Sequence, residues 1–533
     1  MPSHPASLRL PIPAALHRWP GLALAIVLAG AASILLRQDS NWDLQNYHLY
    51  NAWAFVHDRF GLDWAPAQLQ SFHSPYLDLP FFALLAADTP PRVIAFALAI
   101  PTGIAWYCYA RIAAVLFGDL PDPLRMRAIV VAIALGVTAP MSVSLIGLTM
   151  NDWYTAAFVL LAVWIVVGAG DPLAAPGRTL FAAGLLVGAC AGLKLTGSIY
   201  GVGLVVAVLA ARGSLRKRLE AAVATGLGGA LAFALTAGPW MLTMYERYGN
   251  PLFPYFNDVF RSPWADPVSF AATRFGPASA VEWLVFPFVL LWKLEGYVSE
   301  PEFRDARPAL LYALALAAIV VAVVRRLRAA HTPAAPLPGP APAWRFVGAF
   351  FVASFVAWAV LYRIFRYLVP LELLAGALTV GLLVRIAPPK RIAFALGAAV
   401  VLVAVTAKYP TWWRQKFGEH FLSVEMPPVK PGALVLSVVA EPTSYVLPSF
   451  PSDARFVGLV SNFNDPARTN RLQQTIAATI RDHPGPLYAL AVPPGRDVGG
   501  DALATMGLAR GACREIRTNL RVSPLELCEL HRK

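Results

Sequence analysis

The chain has 533 residues, of which 57% are hydrophobic and only 14% charged. A soluble domain carries roughly 45–50% apolar and about 25% charged residues, so the composition excludes an ordinary soluble protein and points to a polytopic membrane protein. The net charge of +13 does not imply a nucleic-acid partner. Its basic residues cluster in short loops beside apolar segments, the pattern that orients a membrane protein.

A membrane-spanning helix needs about 20 mainly apolar residues. Candidates lie at 20–37, 91–110, 127–145, 153–169, 179–193, 198–212, 219–238, 306–325, 344–362, 367–386 and 391–408, about eleven in all. Leu22 to Leu36 contains an Ala-Gly-Ala-Ala run similar to a signal-peptide cleavage site. The acidic loop that follows at once, and the polytopic remainder, favour a retained first helix. The stretch 281–294, with its Trp and Pro, reads as re-entrant or interfacial.

Basic residues set the expected orientation. Arg9 and Arg18, then Arg111, Arg125 and Arg127, then Arg178, then Arg212, Arg216, Lys217 and Arg218 fall on alternate loops. Arg325, Arg326, Arg328, Arg345, Lys390 and Arg391 continue the alternation. That side should be cytoplasmic, with the N-terminus inside and the C-terminal region outside. The Pro/Ala tract Thr332–Ala343 reads as a cytoplasmic linker.

From about 410 onward the long apolar runs stop. Gly432-Ala-Leu-Val-Leu-Ser-Val-Val reads as a buried strand, Arg468 to Arg481 has helical periodicity, and Pro486-Leu-Tyr-Ala-Leu-Ala-Val reads as a second strand. The expected architecture is therefore an all-α polytopic membrane domain (1–409, with 39–90 as its first outer loop) followed by a small α/β extracytoplasmic domain (410–533). Cys513 and Cys528 could pair if that domain lies outside. Cys108 and Cys190 lie in apolar segments and read as small buried hydrophobes.

The first outer loop begins Asp39-Ser-Asn-Trp-Asp43-Leu-Gln-Asn-Tyr47-His48 and also holds His57, Asp58, Asp63, His73 and Asp78. Its aromatics suit a membrane-interface belt. Its carboxylates suggest chemistry as well: desolvation beside the bilayer would raise the pKa of Asp43 and fit it to take a proton from an attacking hydroxyl. Asp152, in Met150-Asn-Asp152-Trp-Tyr, opens a helix on the same side, where it would be an N-cap, share a metal or orient an acceptor. Lys194, Arg363 and Arg366 are cations on the side that the positive-inside rule disfavours. They would either snorkel to headgroups or bind the phosphate of a lipid carrier. Gly238-Pro-Trp240 is followed by Tyr248-Gly-Asn250-Pro on an outer loop, where the Gly-Asn-Pro run is turn chemistry. The sequence shows no Walker loop, Gly-x-Gly-x-x-Gly, Cys/His metal spacing or Gly-x-Ser-x-Gly elbow.

In order, these segments resemble the GT-C superfamily of polytopic glycosyltransferases, in the bacterial branch related to protein O-mannosyltransferases and aminoarabinose transferases. Asp43-Leu-Gln-Asn-Tyr47 is similar to that branch's Asp-Glu-x-x-Tyr motif, and His73-Ser-Pro75-Tyr76 to its His-Pro-Pro-Leu-Tyr motif. Asp152, the Gly192-Leu-Lys194-Leu-Thr segment, the Gly-Asn-Pro loop and Arg366-Tyr367-Leu-Val-Pro370 complete the series over roughly 20–385. Two positions depart from it: Leu44 stands for the second acid and Ser74 for the first proline.

The resemblance implies a transferase in a bacterial inner membrane. It would move a hexosyl or pentosyl group from a polyprenyl-phosphate carrier to an acceptor at the periplasmic face. Asp43 would be the base and Asp152 its support, directly or through a divalent metal ion. Lys194, Arg366 and Arg363 would take the carrier phosphate, with Tyr47, His48, His73 and Tyr367 lining the site. The rival classes are a transporter or lipid flippase and a non-catalytic scaffold of envelope assembly.

Overall fold

The computed structural model describes residues 18–270, 275–292, 295–329, 341–493, 500–520 and 524–533. Arg9 and nearly all of the expected linker lie outside the described residues.

Every apolar segment expected to span is helical. Among the described residues, seven helices are long and apolar enough to cross a membrane. Leu124–Val137, Asp152–Val167, Gly177–Leu193 and Ser198–Leu209 are shorter, at 14, 16, 17 and 12 residues. The stretch near 281 forms the ten-residue helix Ala280–Val289, with Pro287 inside it.

One boundary is corrected. The helix expected over 219–238 runs from Leu215 to Tyr248, 34 residues. At 1.5 Å per residue that is about 50 Å, well past the roughly 30 Å of hydrocarbon. Gly238-Pro-Trp240 is therefore helical, not a loop. Pro239 is tolerated inside a packed apolar helix because neighbouring groups can satisfy the freed backbone. The helix stops where Gly249, at φ +70°, returns its N–H to the Tyr245 carbonyl. The projecting end grips the first outer loop: Trp240 Nε1 donates to the Phe72 carbonyl (3.0 Å) and Arg247 to the Phe60 carbonyl (2.6 Å).

The same helix packs tightly on Gly177–Leu193. A Cβ on Gly184 would lie 2.1 Å from the Thr225 oxygen, and one on Gly188 would lie 2.1 Å from the Gly229 oxygen. Gly192 meets Thr236 as closely. Glycines four apart on one face let two backbones touch, the usual way helices associate where lipid removes the hydrophobic drive. This contact fixes the helix end from which Lys194 emerges.

The C-terminal region is a six-stranded sheet. Its strands are β1 (Val424–Glu425), β2 (Leu434–Ser437), β3 (Arg455–Gly458), β4 (Leu487–Ala491), β5 (Leu508–Thr518) and β6 (Leu525–Arg532), in the order β1-β5-β6-β4-β2-β3. β2 lies parallel to β3 and β4, while β6 is antiparallel to β4 and β5. β2 and β4 are buried along their length, as expected of continuous apolar runs at a sheet's centre. The helix Arg471–Asp482 covers one face through Leu472, Ile476 and Ile480. β5 and β6 were not legible as strands. They place Cys513 opposite Cys528, and the two form a disulfide.

The other face of the sheet lies on the first outer loop. Leu44, Tyr50, Ala54 and Phe81 share a core with Val435, Tyr445, Phe456 and Leu527. Trp64 adds itself to the sheet edge: its N–H donates to the Phe456 carbonyl (2.9 Å), and its carbonyl accepts from the Gly458 N–H (2.8 Å). The loop is thus held by the sheet above and by the helix ends below.

Candidate functional site

Four separated segments meet at one end of the helices. Asp43 follows the Arg18–Leu36 helix, and Asp152 opens Asp152–Val167. Lys194 leaves the C-terminus of Gly177–Leu193 on extended backbone, and Arg366 lies in the 3₁₀ turn Phe365–Leu368. The first two segments are pinned together by Asp39, whose Oδ2 accepts from both the N–H and the hydroxyl of Thr149 (2.8 Å each). Nothing in the spacing marked Asp39 for that role.

Arg366 Nη1 donates to Asp43 Oδ2 at 2.7 Å and lies 3.9 Å from Asp152 Oδ2. Lys194 Nζ donates to Asp152 Oδ1 (2.5 Å) and to the Met150 carbonyl (2.6 Å). The result is an alternating row: Asp43, Arg366, Asp152, Lys194. Asp152 is not the N-cap the sequence suggested. Asn151 occupies that position at φ +64°, which leaves the Asp152 carboxylate free for Lys194. The Tyr367 ring lies 5.5 Å from Lys194 Nζ and 5.3 Å from the Arg366 guanidinium, a cation–π seat for both.

Donors remain in this row. Arg366 Nε is buried with no hydrogen-bond partner, and Asp152 Oδ2 is an acceptor without one. An ammonium has three protons, and Lys194 has two recorded acceptors.

Around the row, Tyr47 stacks obliquely on His48 (4.1 Å) and meets His73 edge-on (5.2 Å). His73 Nε2 is 2.9 Å from the Tyr255 hydroxyl. His48 Nδ1 lies 2.8 Å from Asp78 Oδ1, which also accepts from the Asn151 amide at 2.7 Å. Tyr255, Asp78 and Asn151 join residues far apart in the chain and were not singled out as site residues.

The electrostatics correct one expectation. Burial is the largest influence on Asp43 and raises its pKa. The Arg366 guanidinium, by its charge and its hydrogen bond, outweighs it, so the carboxyl lies below the usual range. Asp43 is thus a stable anion and a weak base. Burial also pulls Lys194 down, although Asp152 opposes it. His73 is pushed by burial down to about 4 and is neutral. The Tyr47 phenol is pushed well up, by burial first and then by Asp43.

Arg363 does not join the cluster. At φ +60° its side chain turns back, Nε donating to the Ala359 carbonyl (3.2 Å) and the guanidinium lying 5.7 Å from the Trp283 ring. His57 and Asp58 are exposed. Asp63 pairs with Arg59 instead. For Asp43 and Asp152 to share a divalent ion Arg366 would have to give way, since its guanidinium stands between the two carboxylates while Lys194 holds Asp152 Oδ1.

No protein-family model matches this chain, and no curated protein matches it. Among the solved structures similar to it are two membrane proteins. ArnT from Cupriavidus metallidurans, bound to undecaprenyl phosphate, aligns at 17% identity and a TM-score of 0.44 over 71% of this chain and 62% of that one. The chain thus spans under two thirds of ArnT's length. The Archaeoglobus fulgidus oligosaccharyltransferase in its apo form aligns at 12% identity and a TM-score of 0.48, over 90% of this chain and 70% of that one. Likeness at this level carries no functional argument, which rests on the geometry of the site.

Proposed function

We propose that the protein is a multi-pass membrane glycosyltransferase of the GT-C type. It moves a sugar from a polyprenyl-phosphate carrier to an acceptor at the periplasmic face of a bacterial inner membrane, with its N-terminus cytoplasmic. The observation that carries this reading is the buried row Asp43–Arg366–Asp152–Lys194, in which the cations are positioned by carboxylates yet keep donors unused. An unpartnered guanidinium nitrogen beside two carboxylates is a donor that a carrier phosphate can take.

In the proposed reaction an acceptor hydroxyl attacks the anomeric carbon from the face opposite the phosphate. The new carbon–oxygen bond forms as the bond to the phosphate oxygen breaks, and the electron pair leaves with the carrier phosphate. Arg366 and Lys194 stabilise that charge, the kind of fixed electrostatic help that costs no reorganisation during the reaction. Asp43 and Asp152 hold the two cations in place. The charge on Asp43 suits it to orient the acceptor and to stabilise positive charge developing at the anomeric carbon.

The test uses the full chain in nanodiscs containing bacterial polar lipids, offered mannose, glucose and aminoarabinose forms of undecaprenyl phosphate. Release of sugar-free carrier from one of them is expected, with loss of about 10²-fold or more in Asp43→Asn. Full activity in Asp43→Asn would refute the site assignment.

A further inference from the structure

The proposed displacement leaves one proton unaccounted for. The attacking hydroxyl must lose it, and Asp43, held as an anion by Arg366, is a poor acceptor. We infer that His48 takes this proton on Nε2, and that Asp78 and Asn151 are the residues that position it to do so. This rests on the glycosyl-transfer reading above and adds the base that it lacks.

Three observations point to His48. The first is its place in the chain. Leu44–His48 is a π turn, which bonds i to i+5 and is frequent at functional sites. Residues five apart diverge on an α-helix, where neighbours on one face are three or four apart. The wider π turn brings Asp43 and His48 toward a common side.

The second is the tautomer. His48 Nδ1 faces Asp78 Oδ1 at 2.8 Å. A carboxylate can only accept, so in the neutral ring Nδ1 carries the hydrogen and the lone pair is on Nε2. Asn151 donates to the same Asp78 oxygen, which fixes the carboxylate in turn. A base oriented by a third group is the arrangement that activates hydroxyl nucleophiles in unrelated enzymes.

The third is the vacancy of that lone pair. His48 is 2% exposed, and its Nε2 has no hydrogen-bond partner. Nε2 is thus the ring nitrogen left to receive a substrate proton. His73, the other histidine beside Tyr47, has its Nε2 engaged by Tyr255.

The step balances as follows. The acceptor oxygen bonds to the anomeric carbon, its proton passes to His48 Nε2, and the carbon–phosphate oxygen bond breaks with its electron pair leaving on the carrier. The imidazolium so formed is stabilised by Asp78 and returns its proton to water after the carrier departs.

The experiment compares wild type, His48→Gln, His48→Ala and Asp78→Asn as full chains in nanodiscs. It measures turnover of whichever undecaprenyl-phosphate sugar the wild type uses, and thermal stabilisation by sugar-free undecaprenyl phosphate. His48→Gln should lose about 10²–10⁴-fold in kcat while the stabilisation stays as in wild type. Asp78→Asn, which favours the wrong tautomer, should also lower kcat with little change in KM. Added imidazole should restore at least about a tenth of the lost rate in His48→Ala but none in Asp43→Asn. Turnover within threefold of wild type in His48→Gln overturns the assignment alone. So does a loss in His48→Ala that imidazole leaves untouched. A folded wild type that is neither stabilised nor active with any carrier overturns the glycosyl-transfer reading and this assignment with it.

Discussion

The first outer loop contributes to two buried arginine–aspartate pairs that look alike and differ in what they leave over. Arg59 and Asp63 are four residues apart, with side chains 7% and 2% exposed. Asp63 accepts from Arg59 Nη2 (2.7 Å) and Nε (3.0 Å), from the Tyr50 hydroxyl (2.8 Å) and from the Phe456 N–H (2.9 Å). The guanidinium reaches on to the carbonyls of Ser452 and Ala454. All of these contacts serve to hold the sheet on the loop. Arg366 and Asp43 are 323 residues apart and share a single 2.7 Å bond, with Arg366 Nε unmatched. A satisfied pair fixes structure, whereas an unsatisfied one keeps capacity for something that is not part of the chain.

Paired substitutions break this comparison most sharply, because neutralising both partners leaves no orphan charge behind. Asp43→Asn/Arg366→Gln should lose carrier turnover by about 10³-fold, with a melting temperature close to wild type. Arg59→Ala should do the reverse, costing about 3–5 kcal/mol by stranding Asp63, read by thermal unfolding, while kcat per folded molecule stays near wild type. If the first pair proves structural and the second catalytic, the comparison is inverted.

Smaller effects test what holds the row. Gly188→Ala places a Cβ 2.1 Å from the Gly229 oxygen, so the helices must part, at about 1–3 kcal/mol. Carrier affinity should fall as well, because Lys194 moves with the helix end. His73 supplies a pH prediction. Its pKa is about 4 when folded and 6.5 ordinarily, so the unfolded chain binds the proton first. Stability from its neutral form is therefore present above about 6.5 and lost as pH falls toward 4. His73→Gln should flatten that acid-side fall in melting temperature. Arg363→Ala should change carrier stabilisation least, since its guanidinium faces Trp283.

Much of this was legible in the sequence, because hydropathy dictates spans and charges out of place mark function. Lys194 and Arg366 looked anomalous for their side, Asp43 and Asp152 stood as candidate carboxylates on that same side, and the fold brings all four together. Arg363 looked equally anomalous, but one residue in the left-handed region turns it away, and no local pattern signals that. The clamp of Asp39 on Thr149 and the Asp78–His48 pair join distant segments, which no spacing reveals. The glycines at 184, 188 and 192 were readable as a small-residue ridge and should have placed the Leu215–Tyr248 helix against that face. β5 was obscured by its own arginines: an exposed strand with Arg510, Arg514 and Arg517 carries little apolar alternation.

The most direct test of the account is carrier binding without chemistry. Purified protein in nanodiscs would be melted with and without sugar-free undecaprenyl phosphate, as wild type, Lys194→Ala/Arg366→Ala and Arg59→Ala. The account predicts stabilisation of wild type and of Arg59→Ala, and none of the Lys194/Arg366 double variant. Stabilisation that survives in the double variant, or that is absent from folded wild type, would contradict it.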